Sequence, residues 1–297
     1  MANSVKKKIL LLGASGFIGS NTYDSLQNDY VVYTVSKKKI FNKNHFQLDL
    51  EKDNLTKLGK IKFNFIINAS GYVDHNLNNS EKILKNHFLP IRNLFRTLNM
   101  NYIEKIIHIG SGNEYGEQKK IINENACCVP KSIYGFAKLM STRYIENFCK
   151  QNKIPYIILR VFLAYGNNQK KNRLIPQVIN NLNIKKKIII NNPNNIRNFC
   201  HIDDITNAIN ISIKKNIKNK IINIGFKKNY KIINVVKKIT KLLKCKKKSV
   251  IINKNSNKNC ENYKIIPSIK RAKLLLKWDP KINLEDGIKK TIQYIKR

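Results

Sequence analysis

Short, unbroken apolar runs alternate along this chain with longer segments in which apolar residues recur every three or four positions. The first run, Ile9 to Leu12, is followed at once by glycine, which suits a central parallel strand buried on both faces, with a helix after it. Tyr30 to Val35 (YVVYTV) is β-branched and aromatic and reads as a second strand. His45 to Leu50 (HFQLDL) reads as a short third strand ending at Asp49, and Phe63 to Asn68 as a fourth running into the small residues Ala69, Ser70 and Gly71. Ile83, Leu84, Phe88, Ile91, Leu94, Phe95 and Leu98 fall at helical spacing and predict a core-facing helix with no direct part in chemistry. A fifth strand, Lys105 to Ile109, breaks at Gly110, Ser111 and Gly112. The next helix starts at Ser132, a residue suited to capping, and runs to about Cys149, and Tyr156 to Val161 is a sixth strand. Strands alternating with helices in this way predict an α/β fold with a doubly wound parallel sheet.

The turn after the first strand sharpens that picture. Gly13, Gly16 and Gly19 are spaced so that one makes the tight turn, one lets backbone approach a pyrophosphate, and one lets the helix pack on the strand. The helix N-terminus then offers unpaired N–H groups to phosphate, so these residues taken alone read either as the dinucleotide turn of a Rossmann-type sheet or as an ordinary glycine-rich strand-to-helix turn, and the rest of the chain decides between them. The second strand ends in Val35, Ser36, Lys37 and Lys38 where NAD sites commonly carry an acid. A hydroxyl and a cation there suit a 2′-phosphate and lean toward NADP over NAD.

Composition changes little. The chain has 297 residues, enough for a large and a small domain. Residues 1–166 are expected to form the dinucleotide-binding domain and 167–297 mainly an interleaved substrate-binding lobe, with about 197–222 returning to the first domain. No apolar run reaches the roughly 18 residues of a membrane span, and no signal-peptide pattern precedes Ile9, so a cytosolic protein with no membrane partner is expected. Six cysteines (Cys127, Cys128, Cys149, Cys200, Cys245 and Cys260) show no metal spacing, so reduced thiols and no metal site are expected. His45, His75, His87, His108 and His201 are likewise read as packing residues.

Lys+Arg number 57 against Asp+Glu 18, a net charge of +39 that ordinarily raises nucleic-acid binding. Here the excess is lysine strewn along the chain beside abundant Asn and Ile. Runs such as Lys37 to Lys39, Lys185 to Lys187 and Lys246 to Lys248 lack the interleaved aromatics of a stacking platform, so a solvated surface without a specific nucleic-acid partner is the expectation.

Candidate chemistry lies on Ser111, Tyr134 and Lys138. Four apart on one helix, Tyr134 and Lys138 share a face, so an ammonium can sit near the phenol and favour the phenolate. A side chain with an ordinary pKa of about 10 would then move protons near neutral pH. Ser111, at the carboxyl edge of the sheet, supplies a hydroxyl where open α/β folds bind ligands.

GASGFIG (13–19), LDL (48–50), GSGNEYG (110–116), SIYGFAK (132–138), LRVFLAYG (159–166), RNFCHIDD (197–204), NIG (223–225) and LLKWDPKINLEDGI (275–288) together carry a resemblance. The whole chain resembles the extended short-chain dehydrogenase/reductases, in the branch of nucleotide-sugar epimerases, dehydratases and reductases. The resemblance implies a catalytic set of Ser111, Tyr134 and Lys138 and a cofactor site of Gly13, Gly16, Phe17, Ile18, Gly19, Ser36, Lys37, Asp49, Leu50, Ala69 and Lys138. Substrate contacts from Ser111, Asn113 and Arg197 are implied too, the last with a diphosphate, as is a homodimer.

Two departures narrow the implied activity. Dehydratases of this branch carry Thr-Asp-Glu where this chain has Ser111, Gly112 and Asn113, so no carboxylic acid is placed to protonate a leaving hydroxyl. The Asn expected before the final Tyr-Gly segment is Leu163. GSGNEYG looks most like the reductases of nucleotide 4-ketosugars, with a 4-epimerase on trapped NAD as the competitor. A third reading, from a different class, is a non-catalytic RNA-binding or redox-sensing relative, and such relatives usually lose the Tyr/Lys pair kept here. Trp278 and Pro280 read as packing anchors of the C-terminal segment.

Overall fold

The computed structural model describes residues 5–40, 42–72, 79–118, 120–245, 250–252 and 264–296, so His75, Cys260 and the lysines at 246–248 lie outside the described residues. Along the chain come β1 (Lys8–Leu12), α1 (Phe17–Leu26), β2 (Val31–Ser36), β3 (His45–Gln47), α2 (Thr56–Gly59), β4 (Phe65–Asn68), α3 (Ser80–Thr97) and β5 (Lys105–Ser111). A 3₁₀ turn, Gly112–Tyr115, precedes α4 (Ile133–Gln151), β6 (Tyr156–Val161), β7 (Leu163–Tyr165), α5 (Leu174–Asn183), β8 (Ile188–Ile190), β9 (Ile196–Arg197) and β10 (Phe199–His201). Then follow α6 (Ile202–Lys214), β11 (Lys220–Ile224), β12 (Tyr230–Lys231), α7 (Ile232–Leu242), β13 (Val250–Ile252), a π-helical turn (Ala272–Leu276) and α8 (Leu284–Lys296).

Seven strands form one parallel sheet in the order β11-β6-β5-β4-β1-β2-β3. β4, β5 and β6 are buried along their whole length, as strands covered on both faces must be. On one face Ile9, Leu11, Ile67 and Ile107 share a core with Leu26 of α1 and Ile205 and Ile209 of α6. On the other, Leu10, Leu12, Ile66 and Ile106 share one with Ile91 and Leu94 of α3 and Ile145 of α4. A third core joins α5, α7 and α8 through Val178, Ile179, Val235, Ile239 and Ile288. The strand order reverses between β1 and β4, which opens the crevice at the carboxyl edge where such sheets take ligands.

Two sequence expectations need correction. The third strand stops at Gln47, because Asp49 turns the chain: its carboxylate accepts the Glu51 N–H at 3.0 Å while its own N–H donates to Asp53 at 2.7 Å. In α3, Leu84 and Phe88 are only half-buried, and the buried positions beside Ile83, Ile91 and Leu94 include His87 and Pro90. That helix therefore carries a polar side chain into the interior. Trp278 is 1% exposed, its indole donates to the Asp204 carbonyl at 3.0 Å, and the Asp204 carboxylate accepts the Lys281 and Ile282 N–H groups, which ties the C-terminal segment to α6. The described cysteines are all free, no described group of His, Cys, Asp and Glu is arranged to hold a metal, and no described helix is long and apolar enough to cross a membrane.

Candidate active site

Three strand ends meet at the glycine turn. Gly13, at φ +76°, donates its N–H to the Val35 carbonyl at 2.9 Å, and a Cβ there would stand 2.8 Å from the Ala69 carbonyl oxygen. Only glycine fits that position. A Cβ on Gly19 would lie 2.1 Å from the Gly13 carbonyl oxygen, so this glycine lets α1 seat on the turn. Gly16 is the N-cap of α1, has no side-chain cap, and its added Cβ would meet only its own turn at 3.1 Å. The free N–H groups of α1 face the crevice edge with no acid in the first turn, an arrangement that suits a pyrophosphate. Phe17 and Ile18 lean on the core below, and Leu50 is buried in the opposite core.

At the far end of this crevice Ser36 and Lys37 are already engaged. The Ser36 hydroxyl donates to the Lys38 carbonyl at 2.6 Å, and the Lys37 ammonium pairs with Asp49 at 2.9 Å and donates to Asn86 at 3.2 Å. Burial pushes the Asp49 carboxyl up, but the hydrogen bonds from Lys37 and the Glu51 N–H outweigh it and hold the group below its ordinary value. An acid therefore does stand at this edge, supplied by the turn after β3 where no residue of β2 provides one.

The 3₁₀ turn brings Ser111 to α4. Ser111 caps that turn, its hydroxyl accepting the Asn113 N–H at 3.2 Å, and its side chain lies close enough to Tyr134 to act on that phenol's pKa. Gly135 makes the approach possible: a Cβ there would sit 2.5 Å from the Asn113 carbonyl oxygen. Ser132 caps α4 by accepting the Gly135 N–H at 3.1 Å, which fixes Tyr134 and Lys138 on the inward face. Asn113 is half-buried beside them.

Electrostatics at the pair differ from the sequence reading. Lys138 is 5% exposed and donates to the Ile109 carbonyl at 2.9 Å, and burial lowers its pKa to about 8. Burial raises the Tyr134 phenol above its ordinary value, against the Ser111 hydrogen bond and the Arg173 charge, which act to lower it. The bond the structure gives the Lys138 ammonium runs to the Ile109 carbonyl of β5, a contact that helical spacing alone does not show. A group that sequence reasoning set aside also belongs here: His87 of α3 packs edge-on against Tyr134 with ring centroids 5.6 Å apart, and its Nε2 meets the Tyr72 carbonyl at 3.0 Å. Desolvation holds His87 down to about 3, so it is a neutral spacer. His108, 1% exposed, accepts from Asn68 at 3.1 Å on the same layer.

Arg197 stands apart from this group. It lines a separate cleft of about 320 Å³ with Leu163, Leu174, Gln177, Asn191 and Ile232, its guanidinium donating to the Ile196 carbonyl at 3.0 Å. Leu163 presents an apolar surface to this cleft at 39% exposure. A Cβ on Gly112 would strike the Phe162 ring at 2.9 Å, and the carboxylate the described residues bring to Ser111 is that of Glu114, which is fully buried and held by the Ser111 N–H and Arg160. The sequence signal for that last pair was Arg160 itself, a cation inside the apolar strand YIILRV that had to find a partner.

The NAD dependent epimerase/dehydratase family matches residues 9–225. A Methanocaldococcus jannaschii protein provisionally named as a UDP-glucose 4-epimerase is 27% identical over 308 residues, 97% of this chain and 98% of that protein. The dTDP-D-glucose 4,6-dehydratase of Bos taurus is 24% identical and aligns over 98% of this chain and 89% of its own. The crystal structure of UDP-glucuronic acid 4-epimerase from Bacillus cereus, with UDP-glucuronic acid and NAD, superposes with a TM-score of 0.89 at 24% identity, over 97% of this chain and 99% of that one.

Proposed function

Because the chain belongs to the NAD dependent epimerase/dehydratase family, we propose that it moves a hydride between carbon 4 of a nucleotide-activated sugar and the nicotinamide of a dinucleotide, with Tyr134 exchanging the proton. The observation that carries this reading is Ser111 and Tyr134 brought together at the carboxyl edge of the sheet, where Gly135 lets α4 approach the 3₁₀ turn, with Lys138 one helical turn on. A sugar hydroxyl or carbonyl set between Ser111 and Tyr134 meets one group that positions it and one that gives or takes its proton. The bound dinucleotide supplies the hydride acceptor and donor. Gly13, Gly16 and Gly19 with the N-terminus of α1 hold its pyrophosphate, Ala69 lies beside it, and Arg197 takes the substrate diphosphate.

The net outcome we infer is 4-epimerisation on retained NAD. The engaged Ser36 and Lys37 leave no free hydroxyl and cation pair for a 2′-phosphate, and the Lys37–Asp49 pair puts an acid at the edge where ribose or adenine would lie. The epimerase names among the relatives agree with this outcome. Dehydration is disfavoured because, among the described residues, the acid beside Ser111 is Glu114, already held by Arg160 and the Ser111 N–H. The second reading, reduction of a nucleotide 4-keto-6-deoxysugar by NADPH in polysaccharide precursor synthesis, keeps the support of GSGNEYG. A homodimer is supported by the half-exposed aromatic ridge of Phe88, Tyr144 and Phe148 on α3 and α4.

Extraction of the purified protein's bound nucleotide, followed by assay of UDP-glucose and UDP-galactose without added cofactor, tests this. Retained NAD and interconversion are expected. An empty protein that consumes NADPH on a nucleotide 4-ketosugar replaces the first reading by the second.

A further inference from the structure

Behind Ser111 lies an ion pair that the chemistry above does not use. The Glu114 carboxylate accepts the Ser111 backbone N–H on one oxygen at 2.7 Å and the Arg160 Nε–H on the other at 2.8 Å. The two side chains are 0% and 1% exposed, and no other ion pair among the described residues is buried on both sides. Arg160 in turn lies 4.3 Å from the ring centroid of Tyr115, whose hydroxyl donates to Asn223 on the edge strand at 2.8 Å. A buried pair of this kind is a poor stabilising device, because desolvating both charges costs about what their attraction returns and an apolar pair of equal volume would serve. Its specific consequence is geometric. With one oxygen fixed by guanidinium, the other holds the Ser111 peptide at the start of the 3₁₀ turn that sets the Ser111 hydroxyl beside α4 and Tyr134.

We propose that Glu114, held by Arg160, is the positioning residue of this site: it locks Ser111 against Tyr134 and stands as a fixed negative charge behind the proton-moving pair. The inference rests on the hydride-transfer reading. The Glu114 charge adds to the burial that raises Tyr134 and opposes the burial that lowers Lys138, favouring phenol and ammonium, the forms in which Tyr134 is ready to donate. Among the described residues, the other charged or titratable groups facing this pocket include Arg160 of β6, Tyr115 of the turn, Glu124 and Cys128 of the following loop, His87 of α3, His108 of β5 and Arg173 at the start of α5.

Two double variants separate geometry from charge. Glu114→Leu with Arg160→Met removes both the hydrogen bond and the charges, whereas Glu114→Gln with Arg160→Met keeps an acceptor for the Ser111 N–H and leaves no orphan cation. Each is assayed as folded protein with UDP-glucose, beside wild type and Tyr134→Phe. The Leu/Met variant is expected to lose about 10-fold to 100-fold in kcat with KM and NAD affinity near wild type, the scale of a small misplacement. The Gln/Met variant should recover most of that kcat, with the alkaline limb of its pH profile moved to lower pH. Wild-type kcat in the Leu/Met variant, or an alkaline limb unmoved in Gln/Met, overturns the proposal, and Gln/Met alone decides if Leu/Met does not fold. Activity surviving in Tyr134→Phe would instead overturn the hydride-transfer reading.

Discussion

The Lys138 ammonium donates to the Ile109 carbonyl at 2.9 Å, closing the end of β5 onto the first turns of α4. This bond does two jobs. It ties the Ile109 backbone of β5 to α4, and it stations a cation one helical turn from Tyr134 near the carboxyl edge of the sheet.

Lys138→Met should uncouple stability from activity. Below about pH 8 the folded protein keeps a desolvated ammonium whose pKa has fallen from 10.5 to about 8, so the folded state binds its proton less tightly than the unfolded one. Wild-type stability should therefore rise relative to Lys138→Met as pH goes from about 8 to about 10.5. Chemical denaturation of both proteins at several pH values measures this. A stability gap independent of pH would mean the lysine is not desolvated as its surroundings require. Turnover of the variant should fall by a factor similar to that of Tyr134→Phe, since the two act as one unit.

Gly16→Val should abolish dinucleotide binding while leaving the fold intact. The added side chain meets nothing closer than its own turn at 3.1 Å but fills the space a pyrophosphate must enter. Calorimetric titration with NAD, beside circular dichroism, checks both halves. Unchanged NAD affinity would remove the phosphate site from α1.

Ser36→Ala with Lys37→Ala should alter NAD and NADP affinities alike, each by less than about fivefold, the reach of an exposed ion pair. The hydroxyl and the ammonium are spent on Lys38 and Asp49. A selective loss of NADP in fluorescence titration would restore the coenzyme preference read from the sequence.

Binding of duplex DNA or RNA should be weak and lost with moderate salt. The charge of +39 is spread over the whole chain, without the interleaved aromatics of a stacking platform. A sequence-selective complex persisting at roughly 200 mM salt contradicts this.

The sheet was legible in the sequence because its strands are buried on both faces and so read as unbroken apolar runs. The glycine turn was legible because Gly13 and Gly19 tolerate no side chain. What the sequence hid were contacts decided by three-dimensional competition. Helical spacing put Tyr134 and Lys138 on one face, but only the fold shows the ammonium turning to Ile109. Likewise nothing in YVVYTVSKK says that Asp49 will fold back onto Lys37, since the turn that returns it follows a different strand. His87 was hidden in an amphipathic pattern that counts apolar residues and passes over a neutral, desolvated imidazole.

Turnover by Tyr134→Phe is the most direct measurement of the central claim. The change removes one hydroxyl and keeps the ring against His87, so NAD affinity should stay within about twofold, as for a loss confined to the transition state. With UDP-glucose as substrate, kcat should fall by about 10² to 10⁴, the usual contribution of a positioned proton donor. Near-normal kcat on a sugar nucleotide that wild type converts would contradict the assignment of Tyr134, and with it both the epimerase and the reductase readings.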